Sequence, residues 1–370
     1  MTTFQMLEQF CQIVQGGRHK LSGNDFVKNG YPAYGAGGIN GYLPTFEFDE
    51  SAVILSSIGA RCGKCFYVEG RWSSLANTQV IFPNKSECDV KFLWYQLNDE
   101  KRWPRAGTGQ PFIKPSDVKR HKVFLPPIEE QRRIAAILEQ AETLRTQRRA
   151  ALALLDSLTQ SLFLDMFGDP VANPKGWPFA RLDELVHPDD SINYGVVQPG
   201  DALDDGIPLV RAGDVVDEKF DATALKRIDP TIEQIYKRSR LQGNEILVTC
   251  VGSIGVVALV EPFMRGFNIA RAVSRIPVSE KANRIFLANY LRTDYVQRYF
   301  TSELRTVSQP TLNIKQICET RVIQPPLPLQ QTFATRIQSI EALKATHRRA
   351  LASLDELFAS LQQRAFAGQL

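Results

Sequence analysis

Two stretches of the chain place apolar or small residues three and four positions apart, the spacing that gives a helix a single apolar seam. In the first, the seam reads Ile134, Ile137, Ala141, Leu144, Arg148, Ala151, Leu155, Leu158 and Leu162. In the second it reads Phe333, Ile337, Ile340, Lys344, His347, Leu351, Leu354, Phe358 and Leu361, in the opposite heptad phase. Each stretch follows a Pro-Pro pair, Pro126-Pro127 or Pro325-Pro326, and closes near a glycine, Gly168 or Gly368. Proline holds the residue before it extended, so each pair marks a helix start. The pattern predicts two helices of about 40 residues each.

The two stretches are also copies of one another. Pro126-Pro127-Ile128-Glu129-Glu130-Gln131 returns 199 positions later as Pro325-Pro326-Leu327-Pro328-Leu329-Gln330. The register then holds without a gap, placing Arg149, Leu152, Asp156, Leu162 and Phe167 on Arg348, Leu351, Asp355, Leu361 and Phe366. A unit written twice is the first thing to seek in a sequence. Laid antiparallel with Arg148 opposite His347, the seams pair layer by layer. Ile134 meets Leu361, Ile137 meets Phe358, Leu144 meets Leu351, Leu155 meets Ile340, Leu158 meets Ile337 and Leu162 meets Phe333. Arg148, His347 and Lys344 make a polar centre, a device that costs stability and fixes register. A helix of this length spans about 60 Å.

A domain with short apolar alternations and glycine turns precedes each helix. Ala52 to Ile58 and Gln79 to Phe82 read as strands and Val90 to Asn98 as a short helix. The second domain echoes the first. Glu245 to Val251 resembles the strand at 52 to 58, each leading to a glycine, Gly252 or Gly59. Ser308-Gln309-Pro310 occupies the place of Gly109-Gln110-Pro111, again 199 positions on. The expected fold is α+β: two mixed α/β domains in a pseudo-two-fold arrangement, separated by two long helices forming an antiparallel coiled coil. The expected boundaries are residues 1–125 and 169–322 for the domains and 126–168 and 323–370 for the helices.

Composition changes this picture little. Of 370 residues, 44% are hydrophobic and 23% charged, which fits folded domains. No apolar run is expected to approach the roughly 20 residues that span a bilayer, and the start has no basic leader, so the chain reads as cytoplasmic. The pair Cys62 and Cys65 is a lone CxxC and reads as reduced core or loop thiols. Net charge is +4. Residues 1–128 hold roughly +4 by themselves, a weak sign of a polyanionic partner. The glycine segment Tyr34 to Tyr42 lacks a phosphate loop's lysine and reads as a strand-connecting loop. A chance-level nuclease pattern, Asp189 with Asp217, Glu218 and Lys219, is the best enzymatic rival; an assembly scaffold that binds no DNA is the rival from another class.

The blocks "PPIEEQRRIAAIL" from Pro126, "MFGDPVANPKGW" from Met166, "PPLPLQQ" from Pro325 and "AFAGQL" from Ala365 resemble those of the specificity subunits of type I restriction-modification systems. The resemblance covers essentially the whole chain. It implies two target-recognition domains, each reading one half of a split, asymmetric double-stranded DNA target, and two conserved helical spacers. It further implies a non-catalytic subunit that docks two methyltransferase subunits and the restriction subunits, which themselves bind S-adenosylmethionine, ATP and Mg, with adenine N6 as methyl acceptor. A related methylation-only or type II-like system would use the same chain. No cofactor or metal is expected in this chain.

Residue chemistry then nominates contacts, because arginine pairs with guanine and Asn or Gln with adenine. For DNA these are Arg61, Lys64, Arg71, Arg102, Arg105, Gln110 and Lys114 in the first domain. In the second they are Arg211, Ser253, Arg265, Asn268, Arg271, Arg305, Gln309 and Lys315. The polar helix faces nominate Glu130, Gln131, Arg133, Glu142, Arg149, Gln331, Arg349 and Glu356 for partner subunits.

Overall fold

The computed structural model describes residues 4–17, 25–107, 109–216, 219–220, 225–304 and 310–370. Two compact units result: residues 1–151 with 347–370, and residues 152–346. Both long helices form as the periodicity predicts, over Ile128–Phe167 and Leu327–Phe366. Each stops where a glycine takes a left-handed backbone, Gly168 at φ +82° and Gly368 at φ +71°. The Lys175 ammonium covers the first helix's end, donating to the carbonyls of Asp165 and Met166 at 2.8 Å each.

In the first unit an antiparallel sheet runs in the order Cys11–Gln15, Thr78–Pro83, Ala52–Ser56, Cys65–Val68. A second sheet runs Gly38–Leu43, Tyr31–Gly35, Arg71–Ser74, Phe48–Asp49, with its middle pair parallel. Ala52, Ile54, Val68, Val80 and the fully buried Trp72 form one apolar cluster, with Phe48 and Phe82 on the Trp72 ring. The glycine segment read as a loop is mostly strand: its glycines allow a tight turn at Ala36-Gly37, and Gly41 leaves room for the Phe26 ring. A short pair, Phe4–Met6 with Lys122–Phe124, closes the unit.

The second unit repeats this plan. Its sheet order is Asn193–Tyr194, Val273–Ile276, Ile246–Thr249, Val257–Leu259, all antiparallel. The strand Ile207–Val210 again has one antiparallel neighbour, Lys226–Ile228, and one parallel neighbour, Asn268–Ile269. Phe179–Arg181 pairs with Arg321–Ile323 as the closing ladder. A helix, Asp294–Ser302, is added after the short helix Arg284–Leu291.

The helix pair holds within each unit, but the seam is not quite the expected one. In the first unit Ile134, Ala135 and Leu138 share a cluster with Phe358, Leu361 and Phe366 and with Phe92, Tyr95 and Phe124 of the recognition domain. In the second, Phe163 and Phe167 pack on Phe333, Phe286 and Tyr290. The helix ends therefore bury a three-body face, which draws in Leu138 and Phe163. Toward the middle, with no domain beside them, Leu144 and Leu158 remain 43% and 48% exposed, against expectation. Arg148 Nη1 donates to His347 Nδ1 at 3.2 Å, as the register requires. Lys344, expected at that centre, instead reaches Asp156 and Glu341, each at 2.8 Å.

One expectation about hydropathy is corrected. The helix Ile128–Phe167 is long and apolar enough to cross a membrane by length and composition. Its apolar residues are spread around the helix and interrupted by Asp156 and Asp165 instead of forming one run. Phe163 and Phe167 face the core, whereas Leu154 is 70% and Leu164 52% exposed.

Candidate nucleic-acid interface

In the first unit the chain leaves the strand Ala52–Ser56 and immediately pairs with a distant segment. Ile113 N donates to Ser57 O and Gly59 N to Pro111 O, both at 2.9 Å. Ala106 and Phe112 exchange two backbone hydrogen bonds of 2.9 Å, which closes the loop that carries Gln110. Gly59 at φ +102° turns the chain back, and Lys64 N then donates to Arg61 O at 3.0 Å. Arg61 Nη1 reaches the Gly37 carbonyl at 3.3 Å, tying this turn to the hairpin tip. Arg61, Lys64, Gln110 and Lys114 are thus brought onto two adjoining loops at one end of the sheet, with the hairpin tip at Gly37 beside them.

Behind them the loops are held by buried groups. Trp103 Nε1 donates to Leu97 O at 3.0 Å and Gln79 Nε2 to Ile113 O at 3.3 Å. Cys62 and Cys65 are buried free thiols that donate to Ser57 O and Leu97 O, both at 3.4 Å. Burial pushes both thiols above their ordinary range, so they stay protonated core groups. Among the described residues, no three or more His, Cys, Asp or Glu are placed to hold a metal ion.

The second unit builds the same turn with other side chains. Val251 bridges Thr311, Leu312 N donates to Cys250 O at 3.0 Å, and Gly252 takes φ +81°. Thr249 Oγ1 donates to Ser253 O and accepts from Val256 N at 3.0 Å, fixing the Ser253 loop. Tyr194 Oη donates to Leu312 O at 3.0 Å, and Arg271 N to Val196 O at 2.8 Å. Ser253 and Arg271 are exposed here.

Charge pairing sorts the remaining candidates. Arg71 is held by Asp49 at 2.9 Å and lies over the Phe46 ring. Arg102 pairs with Asp99 at 3.2 Å, Arg105 with Glu100 at 3.3 Å and Lys315 with Glu319 at 3.9 Å. Arg211 grips Asp214 with two bonds, at 2.9 and 2.7 Å, which holds its guanidinium above its ordinary pKa. Among the described residues Arg61, Lys64, Lys114, Arg265 and Arg271 are in no ion pair, so their charge is free for an anion. Arg305 and Gln309 lie outside the described residues, as do Asp217 and Glu218 of the nuclease pattern.

Asn268 is a correction. It has no exposed surface: its amide donates to Glu233 Oε1 at 3.2 Å and Tyr236 O at 3.1 Å, and its oxygen accepts from Ser239 Oγ at 2.7 Å. Its amide is spent on holding the chain around residues 233–239, and no base edge reaches it.

Gln131 is a second correction among the partner candidates. It is fully buried, accepting from Asp89 N at 2.9 Å and donating to Glu87 O at 2.8 Å and Pro126 O at 2.7 Å. Gln330 makes the matching bonds, from Asn283 N and to Pro325 O, both at 2.8 Å. These glutamines lock each long helix to the residue that caps the short helix of its domain, Asp89 or Asn283. Of the other candidates, Glu130 pairs with Arg133 at 2.7 Å, and Arg133 also donates to Leu370 O. Glu142 and Arg149 join an ion network with Asp355, whereas Gln331, Arg349 and Glu356 are on exposed helix surface. The sequence reasoning passed over the exposed Leu154 and Leu164, hidden by the strict heptad reading, and the basic run Lys119 to Lys122, which was legible as a run.

The chain is similar along its length to known proteins. The family model described as "Type I restriction modification DNA specificity domain" matches residues 3–153 and again 174–356. The type I restriction enzyme EcoBI specificity subunit of Escherichia coli is 32% identical over 276 residues, which are 66% of this chain and 58% of that relative. The MjaVIII specificity subunit of Methanocaldococcus jannaschii is 22% identical over 80% of this chain and 73% of its own length. Among solved structures, a type I restriction-modification S subunit from M. genitalium superposes with a TM-score of 0.66 over 99% of this chain and 96% of that one, at 16% identity. With two matched stretches that fall one in each repeat, the chain belongs to the family of type I restriction modification DNA specificity domains.

Proposed function

We propose that the chain is the sequence-reading subunit of a type I restriction-modification complex in the cytoplasm, each unit contacting one half of a split target in double-stranded DNA. The observation that carries this reading is the turn built twice. Ile58-Gly59 lies against Pro111–Ile113, and Val251-Gly252 lies against Thr311-Leu312, with different exposed side chains around one backbone frame. A repeated frame with changed side chains is how one scaffold reads two sequences. Arg61, Lys64, Gln110 and Lys114 would serve the first half-site, and Ser253 and Arg271 the second; Arg265, which follows the turn Pro262–Met264, lies beyond the end of the Ile246–Thr249 and Val257–Leu259 hairpin opposite Ser253.

The chain performs no chemistry in this reading. Two methyltransferase subunits would bind the long helices and carry S-adenosylmethionine to adenine N6, and restriction subunits would supply ATP- and Mg-dependent cleavage. The exposed Leu154 and Leu164 on one helix, and the exposed polar positions Arg349 and Glu356 on the other, support docking on the helices. Mapping methylated adenines in cells carrying the system tests the reading. A two-part methylated motif should vanish when the chain is deleted, and Arg271→Ala should relax one base of one half, at a cost of about 1–3 kcal/mol in binding. A methylation pattern unchanged by the deletion would sink it.

A further inference from the structure

The run Lys119-Arg120-His121-Lys122 ends the short helix Pro115–Lys119 and opens the strand Lys122–Phe124. Its three cations are exposed. The His121 ring stacks on Trp103 at 4.3 Å between centroids, which brings the segment that carries Lys101 and Arg102 up to the run. Burial first, and the neighbouring Arg102 second, hold His121 below its ordinary pKa, so it is a neutral anchor among cations. Lys101, Lys119 and Lys122 have no carboxylate partner among the described residues. Arg120 meets Asp117 only at 3.8 Å, with 67% of its side chain exposed.

The repeat makes this surface informative. The same positions in the second unit, 199 residues on, are Cys318-Glu319-Thr320-Arg321, with no net charge. There Glu319 pairs with Lys315, and Arg321 lies over the Phe179 ring at 4.3 Å. A patch required by the fold would occur twice; this one occurs once. The patch also adjoins the proposed reading loops. Lys114 precedes the five-residue helix whose far end is Lys119, and that helix is about 8 Å long, close to two steps along a DNA strand. Beside these cations Phe4 is exposed on the strand paired with Lys122–Phe124, its ring against Phe124; one ring is less than the apolar core that a protein-docking patch would require.

We propose that Lys101, Lys119, Arg120 and Lys122 form a contact to DNA phosphates that is independent of sequence and present only in the first unit, gripping the duplex beside the half-site that unit reads. The proposal rests on the DNA-reading function above and adds an asymmetry to it: one half of the target is held by more backbone charge than the other. Phosphate contacts position a protein on DNA and carry no base information.

The test uses the full chain, alone and with its methyltransferase partners, titrated against a random-sequence duplex and against the methylated-motif duplex from 50 to 200 mM salt. In the triple variant Lys119→Gln, Arg120→Gln, Lys122→Gln, the slope of log affinity on log salt should fall by about 2 to 3. Affinity for both duplexes should fall by the same factor, about tenfold or more at 100 mM salt, leaving their ratio unchanged. The variant Lys119→Arg, Lys122→Arg should keep the wild-type slope, and an unchanged melting temperature in the triple variant excludes misfolding. An unaltered slope overturns the proposal. So does a changed ratio between the duplexes, which would make the patch a base reader, or loss of partner assembly with DNA binding intact, which would make it a protein-docking surface. Should the unmutated chain prefer no duplex at all, the reading of a target fails, and the slope on random DNA still decides the phosphate contact.

Discussion

Asn268 and Arg271 stand three residues apart on one edge of the second unit and do opposite work. Asn268 is sealed under Glu233, Tyr236 and Ser239, while Arg271 is exposed and in no ion pair among the described residues. Residue type alone nominates both for DNA, because an amide and a guanidinium each match a base edge. What separates them is burial, which depends on how Asn268–Ile269 pairs with Ile207–Val210, a contact far in sequence. The network below Asn268 gives a prediction about pH. Glu233 is buried, accepts from Arg240 at 2.8 Å, and is held below its ordinary pKa chiefly by that bond. A carboxyl whose folded pKa is depressed stabilises the fold fully above its unfolded value, and the contribution is lost as pH falls through the folded one. Melting temperature should therefore drop as pH falls below about 4.5. Glu233→Gln should cost about 2 kcal/mol at pH 7 and flatten that acid limb. An acid limb identical in both proteins would show that Glu233 contributes nothing to it.

For the elements, periodicity revealed the helices, their ends and their register, down to the pairing of Arg148 with His347. It did not reveal the third body. A heptad reading assumes that a helix buries one stripe against one partner, yet Leu138 and Phe163 are buried against the short helices of the domains. Gln131 departs from its expected place for a related reason: it is polar and near a helix start, where exposed side chains are common, but it fills hydrogen bonds of a buried cap, as Gln330 does in the second unit. The central pair can be tested directly. Arg148 and His347 face each other in the seam with no carboxylate between them, and arginine must donate to an unprotonated imidazole nitrogen. Replacing both by leucine should raise the melting temperature of the full chain by a few degrees, since a polar seam layer costs stability. Each single replacement should help less, because it leaves the other polar group facing leucine. A fall of several degrees in the double variant would mean that the pair stabilises the helices, contrary to its reading as a register device.

Across the whole molecule the repeat is plainest in topology: the same four-strand order, the same closing ladder and the same glycine turn occur in both units. Sequence exposed the repeat through the helices and a few short echoes, because the strands share only hydrophobic alternation. A division at residues 126 and 169 follows the text of the chain, whereas the compact units each take half of both helices, because Phe92, Tyr95 and Phe124 share a cluster with Ile134, Leu138 and Phe366. This bears on exchanging recognition domains. Each apolar cluster is made of residues of one unit, so residues 4–125 can be replaced by the equivalent segment of a relative while the second unit keeps its core. Such a chimera should methylate a motif with one half changed and the other retained, as read by mapping methylated adenines. It should do so only if the incoming segment presents large apolar groups where Phe92 and Tyr95 now stand. Losing an aromatic there costs about 3–5 kcal/mol, enough to unseat the domain from the helix start. The chain with Phe92→Ala and Tyr95→Ala is the control: it should lose the first half of the motif while the loop residues Arg61 and Gln110 are untouched. Full methylation of the original motif by that variant would show that the reading loops do not depend on the helix they stand on.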